Sequence, residues 1–380
     1  MSLKVLFLQT EGSSFYSHRL PMALAAKAAG YEVVVAAREG SHGDLIRAAG
    51  LRLVPLPWRR SSVNPFYELS MIARIVRLYS VERPDLVHHV SAKPILYGSL
   101  AAAICGVPAV VNALIGLGFV FISTSLKARV LRGVVCVALR AALSLRNSVT
   151  IFQNEDDRKL FIEGGIVEAE RTVLIRGSGV DIGHFSPSPE PEGEPLVVLP
   201  GRILWDKGVG EFVEAARLLS SEGVRARFAL VGDRDEENPA AVPAARLAEW
   251  SKEGIVECWG HRSDMAEVYA QASVVVLPSY REGLPKALME AAACARPLVA
   301  ADVPGCREVV RHEESGLLVP VRNGKALAAA LRILIEDGSL RRSMGERARS
   351  LAVAEFAQEK VVEQTSRVYR DLLGRVKIGH

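Results

Sequence analysis

The chain of 380 residues holds five cysteines (Cys105, Cys136, Cys258, Cys294 and Cys306), scattered and without a C-x-x-C pair. That excludes a disulfide framework and leaves buried free thiols of a reducing compartment. Aromatic residues are 6% of the chain. They do not interleave with the basic residues, and no RNA-binding signature occurs, so nucleic acid is not expected as a partner. No charge occurs in the 33 residues between Lys93 and Lys127, yet Pro94, Gly98, Gly106, Pro108, Gly116 and Gly118 interrupt them. The apolar runs between these breakers are short for a span of about 20 residues, so the segment is read as buried core. No G-x-G-x-x-G follows the first strand of either half, which argues against a dehydrogenase. Neither a nucleophile elbow nor a Ser/His/Asp arrangement is present. Met1–Thr10 lacks a basic region and a small-residue cleavage site, so no signal peptide is expected.

What remains is the balance of a globular protein, with 49% hydrophobic and 24% charged residues. The length favours two domains over one. The net charge of +4 is uneven, because Met1–Thr150 carries 17 basic and 7 acidic residues while the remainder is net acidic. The first half is therefore suited to an anionic ligand or a lipid surface. Lys127, Arg129, Arg132, Arg140 and Arg146 lie among aliphatics in Ser125–Arg146 with no acidic residue, the pattern of a basic interfacial helix.

Short apolar strands alternate with helical periods throughout. Strands are expected at Lys4–Leu8, Glu32–Ala37, Leu86–His89, Ala109–Asn112 and Thr150–Gln153, with a loop at Gln9–Ser17 and a helix from Arg19 to Ala29. Asn64-Pro65 opens a helix in which Phe66, Leu69, Ile72, Ile75, Val76 and Tyr79 recur at helical spacing. The proline- and glutamate-rich Ser186–Pro195 is read as a linker. The pattern then restarts with strands at Leu196–Leu199, Phe228–Val231, Ile255–Cys258, Val274–Leu277, Leu298–Ala300 and Leu317–Val319. This is the signature of α/β, doubly wound parallel sheets. The expected domains are 1–190 and 191–355, with 356–380 a C-terminal helix that is a candidate for packing back on the first. Ligands of such sheets bind beyond the carboxyl ends of the strands, so the cleft that two such domains face is the expected site.

The strongest local motif is Ser279-Tyr280-Arg281-Glu282-Gly283-Leu284-Pro285-Lys286, continuing to Glu290. A strand ends at Pro278, and Pro285 suits the first position of a helix whose initial N–H groups would favour an anion. Carboxylates on either side of an anion site suit sugar hydroxyls, which donate hydrogen bonds. Arg202 and Lys207 follow a strand and offer a planar fork and a point charge to phosphate. Asp233-Arg234-Asp235 is a D-x-D, but it runs into Glu236-Glu237 and is read as a solvated acidic loop. The histidines show no ligand spacing, and no metal is expected. His88 and His89, adjacent on a strand, point to opposite faces.

Glu282-x7-Glu290 resembles the E-x7-E signature of retaining GT-B glycosyltransferases of family 4. Gly201-Arg202 with Lys207-Gly208, Gly179-Val180-Asp181 with Phe185, and Trp259-Gly260-His261 resemble further family blocks, in the family's order. Ser17-His18-Arg19-Leu20-Pro21, His88–Pro94 and Gly116-Leu117-Gly118 are similar to the subgroup that builds bacterial surface polysaccharides and lipid-linked glycans. Two departures are Glu11-Gly12-Ser13-Ser14, where many members have a glycine pair, and Ala295, where glycine is common; the second is read as a packing matter. The resemblance implies a metal-independent, retaining transferase with two Rossmann-like domains. Glu282 would contact sugar hydroxyls, Arg202 and Lys207 the diphosphate, and Glu290 the ribose. Gly283, Leu284, Pro285 and Lys286 would complete the nucleotide-sugar site, with Gly260 and His261 beneath the base. One of His88 and His89 would contact the sugar, a register one residue wide from which His89 is chosen and its neighbour assigned to the core, and Ser17, His18, Arg19 and Lys93 would meet the acceptor. The donor would be a UDP-linked hexose or N-acetylhexosamine, a substrate rather than a cofactor, and no cofactor is expected. The acceptor would be a polyprenyl-diphosphate-linked saccharide at the inner face of a bacterial membrane, met from the cytoplasm by a protein resting on anionic lipid. A nucleotide-sugar epimerase or hydrolase using Glu282 and Glu290 as an acid/base pair, and a non-catalytic binding subunit, are the alternatives.

Overall fold

The structure, a computed structural model, describes residues 2–59, 62, 64–115, 126–145 and 147–378. Gly116-Leu117-Gly118 and Arg146 lie outside the described residues, as do the side chains of Lys127 and Arg129. The chain forms two units, Met1–Ser178 with Glu359–His380, and Gly179–Gln358.

The first unit is built on seven strands: β1 (Lys4–Glu11), β2 (Glu32–Arg38), β3 (Arg52–Pro55), β4 (Leu86–Val90), β5 (Ala109–Leu114), β6 (Ser148–Phe152) and β7 (Thr172–Leu174). All pairings are parallel, in the order β3-β2-β1-β4-β5-β6-β7. The strands are near-continuous Val, Leu and Ala because both faces are covered. Alternation along β1 sends Val5 and Phe7 to one face, with Val361, Val368 and Tyr369 of the helix Gln358–Ile378. It sends Leu6 and Leu8 to the other, against Met71, Ile75, Leu78 and Tyr79 of the helix Pro65–Glu82. The Asn64 side chain accepts from Phe66 N–H at 3.0 Å and Tyr67 N–H at 3.4 Å, the expected cap. Phe66 and Leu69, expected inward by their spacing, are instead exposed (82% and 62%), because the buried stripe begins only at Met71.

The second unit repeats the plan with β8 (Leu196–Pro200), β9 (Arg227–Val231), β10 (Glu257–Gly260), β11 (Val274–Leu277), β12 (Leu298–Ala301) and β13 (Gly316–Val319). Its order is β10-β9-β8-β11-β12-β13, again all parallel. Val198, Ala229, Val275 and Leu277 face one core cluster, and Val197, Leu199, Leu230 and Val276 the other.

Three expectations are corrected. Gln9–Ser17 is not a loop: β1 runs to Glu11 and a helix spans Gly12–His18. Gly12 permits that tight turn, since a Cβ there would lie 2.8 Å from both Arg38 O and Glu39 O. The chain passes between units at Ser178/Gly179 and Gln358/Glu359, not near residue 190. Ser186–Pro195 has no helix or strand, but it is strapped to the second unit. Buried Arg296 donates to Ser188 O at 3.0 Å and Ser188 Oγ at 2.8 Å, and Arg341 to Glu190 at 2.8 Å. Composition reveals that such a segment cannot be helical; it does not reveal which arginines hold it.

Gly179-Val180-Asp181 now has a physical reading. Val180 N–H donates to Phe356 O at 2.8 Å, and Gln358 N–H donates to Val180 O at 2.9 Å. Gly179 has φ +76°, and a Cβ would fall 2.6 Å from Gln358 Cα, so only glycine fits the crossing. Asp181 Oδ1 accepts from Gly183 N–H (3.0 Å) and His184 N–H (2.9 Å), turning the chain toward Phe185.

Candidate functional site

The carboxyl ends of β8, β9 and β10 are capped by Gly201, Gly232 and Gly260, all at positive φ (132°, 148° and 65°). Gly201 N–H donates to Val231 O, and Gly232 N–H to Gly260 O, each at 2.9 Å. The result is a shelf of backbone without side chains at three adjacent strand ends. Beside it, Ile203, Gly232, Asp233, Arg234, Cys258 and Gly260 line a cavity of about 460 Å³. A larger cavity of about 930 Å³ lies in the first unit, near Pro108, Asn147, Arg171 and Leu372. It opens at the amino ends of β5 and β6, away from the strand ends where ligands of such sheets bind.

Arg202 and Lys207 leave this shelf on a loop that ends in the short turn Trp205–Lys207. Gly208 (φ +74°) then opens the helix Val209–Ser221, and a Cβ there would collide with Pro278 O. The loop is thus pressed against the strand end that starts the E-x7-E motif. Tyr280 N–H donates to Asp206 O at 2.9 Å, and Tyr280 OH to Glu211 at 2.8 Å. Burial and Glu211 push the Tyr280 phenol up to about 12. Lys207 Nζ is ion-paired with Glu282 Oε1. Arg202 Nη1 meets Asp235 Oδ2 at 2.6 Å, with the guanidinium half exposed and the carboxylate nearly covered. Asp235, expected in a solvated loop, instead holds an expected phosphate ligand. Asp233 and His261, 3.4 Å apart, are both exposed.

The helix after the motif spans Lys286–Ala293, with Pro285 as its cap rather than its first residue. Leu288 N–H donates to Pro285 O at 3.1 Å and Met289 N–H to the same oxygen at 3.3 Å, so the hydrogen-bond ladder of the helix starts from Pro285. Glu282 sits ahead of that turn and Glu290 within the helix. Glu290 is 8% exposed, accepts from Tyr269 OH at 3.1 Å, and lies 3.3 Å from Lys286 Nζ. Burial holds its carboxyl above the usual range, against the pull of Lys286, Tyr269 and His184. From below, Gly305 N–H donates to Glu282 O at 3.3 Å. A Cβ on Gly305 would strike Gly283 O and come 2.8 Å from Glu282 O. The second unit therefore places Arg202, Lys207, Glu282, Gly283, Leu284, Pro285, Lys286 and Glu290 in the segments that follow the carboxyl ends of its two central strands, β8 and β11. Sequence reasoning missed Asp235, Tyr269, Tyr280 and Gly305 there; the D-x-D and the tyrosine beside Glu282 were visible, but their partners were not.

The residues expected to act in the first unit fare differently. His88 and His89 do point to opposite faces, but neither is exposed. His89 Nε2 is 2.9 Å from Tyr79 OH and Nδ1 2.8 Å from Asn112 Oδ1, while Gly98 leaves room for its ring. Both nitrogens are engaged, so His89 is a core residue, and the expectation that it contacts sugar is corrected. Burial lowers its imidazole to about 4. His88 stacks on Phe7 and bonds Tyr369 OH at 2.6 Å. Arg19 is 4% exposed, and burial lowers its guanidinium to about 10; it is not presented to an acceptor phosphate. Lys93 is also occupied, donating to Ser62 O (2.7 Å), Arg59 O (3.2 Å) and Glu68 (3.1 Å) to clasp a loop. Ser17 Oγ and His18 Nδ1 are 2.5 Å apart near the surface.

Residues 194–337 match the family described as Glycosyl transferases group 1, and residues 4–153 that described as Glycosyl transferase 4-like. The chain is 28% identical to the N,N'-diacetylbacillosaminyl-diphospho-undecaprenol alpha-1,3-N-acetylgalactosaminyltransferase of Campylobacter jejuni, covering 98% of this chain and 100% of the relative. It is 24% identical to the UDP-Gal:alpha-D-GlcNAc-diphosphoundecaprenol alpha-1,3-galactosyltransferase of Escherichia coli, covering 82% of each. Among solved structures, Anabaena Alr3699/HepE in complex with UDP superposes with a TM-score of 0.76 at 21% identity, over 97% of this chain and 100% of that one.

Proposed function

Because the chain belongs to the group 1, family-4-like glycosyltransferases, we propose that it moves a hexose or N-acetylhexosamine from a UDP-sugar to a polyprenyl-diphosphate-linked saccharide, with retention at the anomeric carbon and without a metal. The observation that carries this is the paired charge past the carboxyl ends of the central strands: Lys207 on Glu282, and Arg202 on Asp235. Each cation is positioned but held by a carboxylate that a diphosphate can replace. The breaking bond joins the anomeric carbon to the distal phosphate oxygen, where negative charge grows. Lys207, Arg202 and the N-terminus of the helix Lys286–Ala293 stabilise that charge. Glu282, released from Lys207, accepts from sugar hydroxyls, and Glu290 from the ribose. The attacking acceptor hydroxyl gives its proton to the departing phosphate oxygen, so no protein nucleophile is required. The glycine shelf and its cavity suit a flat base approaching backbone. Relatives named for diphosphoundecaprenol-linked acceptors support the acceptor class, and the UDP in a structural neighbour supports the donor class.

Membrane association follows from the acceptor. Among the described residues no helix is long and apolar enough to cross a membrane. The helix Leu126–Leu143 exposes Val134 and Val137 beside Arg132 and Arg140 and has no acidic residue, which supports a first unit resting on anionic lipid at the cytoplasmic face.

Calorimetry against nucleotides, followed by transfer assays with UDP-sugars and a polyprenyl-diphosphate saccharide, tests the proposal. UDP binds above other nucleoside diphosphates, product forms only with acceptor, its new linkage keeps the donor's configuration by NMR, and EDTA leaves the rate unchanged. Free sugar released without acceptor would instead indicate a hydrolase. Flotation with anionic but not neutral vesicles at low salt checks the membrane reading.

A further inference from the structure

Tyr269 lies on the helix Met265–Gln271, is fully buried, and is surrounded by the apolar cluster of Val268, Ala272, Leu288 and Ala292. Phenylalanine would fill that space without a hydroxyl to satisfy, and burying an unpartnered hydroxyl costs free energy. The Tyr269 hydroxyl instead donates to Glu290 Oε2 at 3.1 Å. The rest of the residue is fixed. Arg296 Nε donates to its carbonyl at 2.8 Å, and the Phe185 ring packs on its ring, with centroids 6.1 Å apart. Phe185 ends the G-V-D-x-x-x-F stretch, so that motif reaches the E-x7-E motif through Tyr269. Glu290 Oε1 faces Lys286 Nζ at 3.3 Å and keeps acceptor capacity for a ligand.

We propose that Tyr269 is a positioning residue for nucleotide binding: its hydroxyl fixes one oxygen of Glu290 so that the carboxylate accepts from ribose hydroxyls. This rests on the reading of Glu290 as the ribose ligand. Four groups face the carboxylate: Tyr269, Lys286, His184 and the Cys294 thiol. Burial favours the protonated acid, while Tyr269, Lys286 and His184 favour the anion. Removing the hydroxyl therefore moves Glu290 toward protonation at higher pH.

The test is UDP affinity by calorimetry from pH 5 to 8 for the wild type, Tyr269→Phe and Glu290→Gln, with 2',3'-dideoxy-UDP in parallel. Tyr269→Phe is expected to weaken UDP about tenfold, the effect of one hydrogen bond to a charged group. The acid limb of its binding profile moves to higher pH, and its affinity for the dideoxy nucleotide matches wild type. Equal weakening toward both nucleotides with an unmoved acid limb overturns the proposal, leaving Tyr269 a packing residue. UDP affinity unchanged in Tyr269→Phe but reduced in Glu290→Gln also overturns it, and leaves the ribose reading intact. No effect of Glu290→Gln on UDP removes both. Should Tyr269→Phe fail to fold, 3-fluorotyrosine at position 269 strengthens the donor at nearly constant volume. The acid limb then moves to lower pH, and an unmoved limb refutes the proposal.

Discussion

In both units the first strand of the sheet lies between the second and the fourth, and the central strands are aliphatic on both faces. Their polar residues are disposed in opposite ways. The first unit turns them inward: His89 bonds Tyr79 and Asn112, His88 bonds Tyr369, and Arg19 is covered. The second leaves its ion pairs at the strand ends, where glycines replace side chains and a partly accessible cation meets a nearly covered carboxylate. The winding is shared, so it does not decide which unit carries its ion pairs at the strand ends. What decides is how far past the strand end the polar residue falls. His89 is inside β4, whereas Arg202, Lys207 and Glu282 follow β8 and β11.

Four substitutions test that contrast. Lys207→Ala is expected to lower kcat/KM about 10²- to 10³-fold, as loss of one charge-stabilising group does, while the melting temperature stays within a few degrees. Steady-state kinetics with saturating acceptor measure it. His89→Gln probes the opposite behaviour. The native imidazole ionises near 4 and the unfolded one near 6.5, so the unfolded state takes up the proton first as pH falls. Stability present above pH 6.5 is therefore lost progressively toward pH 4, by on the order of 3 kcal/mol. Urea titrations at pH 7 and 4.5 should show a smaller drop between the two for His89→Gln than for wild type. Gly305→Ala attacks the second unit through its backbone: the methyl group must displace Gly283 and Glu282. Expected are a loss of about 1–3 kcal/mol, read from denaturant midpoints, and a raised donor KM. Ala295→Gly is the mildest. Ala295 follows the helix Lys286–Ala293 at φ +56°, where glycine is unstrained, and the change is expected to raise stability by up to about 1 kcal/mol in thermal melts.

That last position shows what sequence can convey. Ala295 stands out in the sequence as a departure, but the packing reading is replaced by a backbone one: at φ +56° glycine is the unstrained residue. Aliphatic strands such as Val274–Leu277 were legible because doubly covered strands need no alternation. Arg52–Pro55 and Thr172–Leu174 were not expected, being short outer strands with polar or proline neighbours. The spacing of Glu282 and Glu290 was legible because a turn and a helix convert it directly into position. The contacts of Asp235 with Arg202 and of Tyr269 with Glu290 were not, since each partner comes from another loop or helix. His88 and His89 divided between two faces as expected, but alternation cannot tell whether either face is open.

The closing helix Gln358–Ile378 lends Val361, Val368 and Tyr369 to a core whose strands all precede Ile175. On the ribosome, the second unit is finished and free to collapse while the first still waits for its last layer. Vectorial synthesis therefore completes the two in reverse order. A nascent chain halted near Phe356 leaves His88 without its tyrosine, and Phe7 covered by Phe15 and His88 but not by the last layer, a partly open core of the kind prone to aggregate.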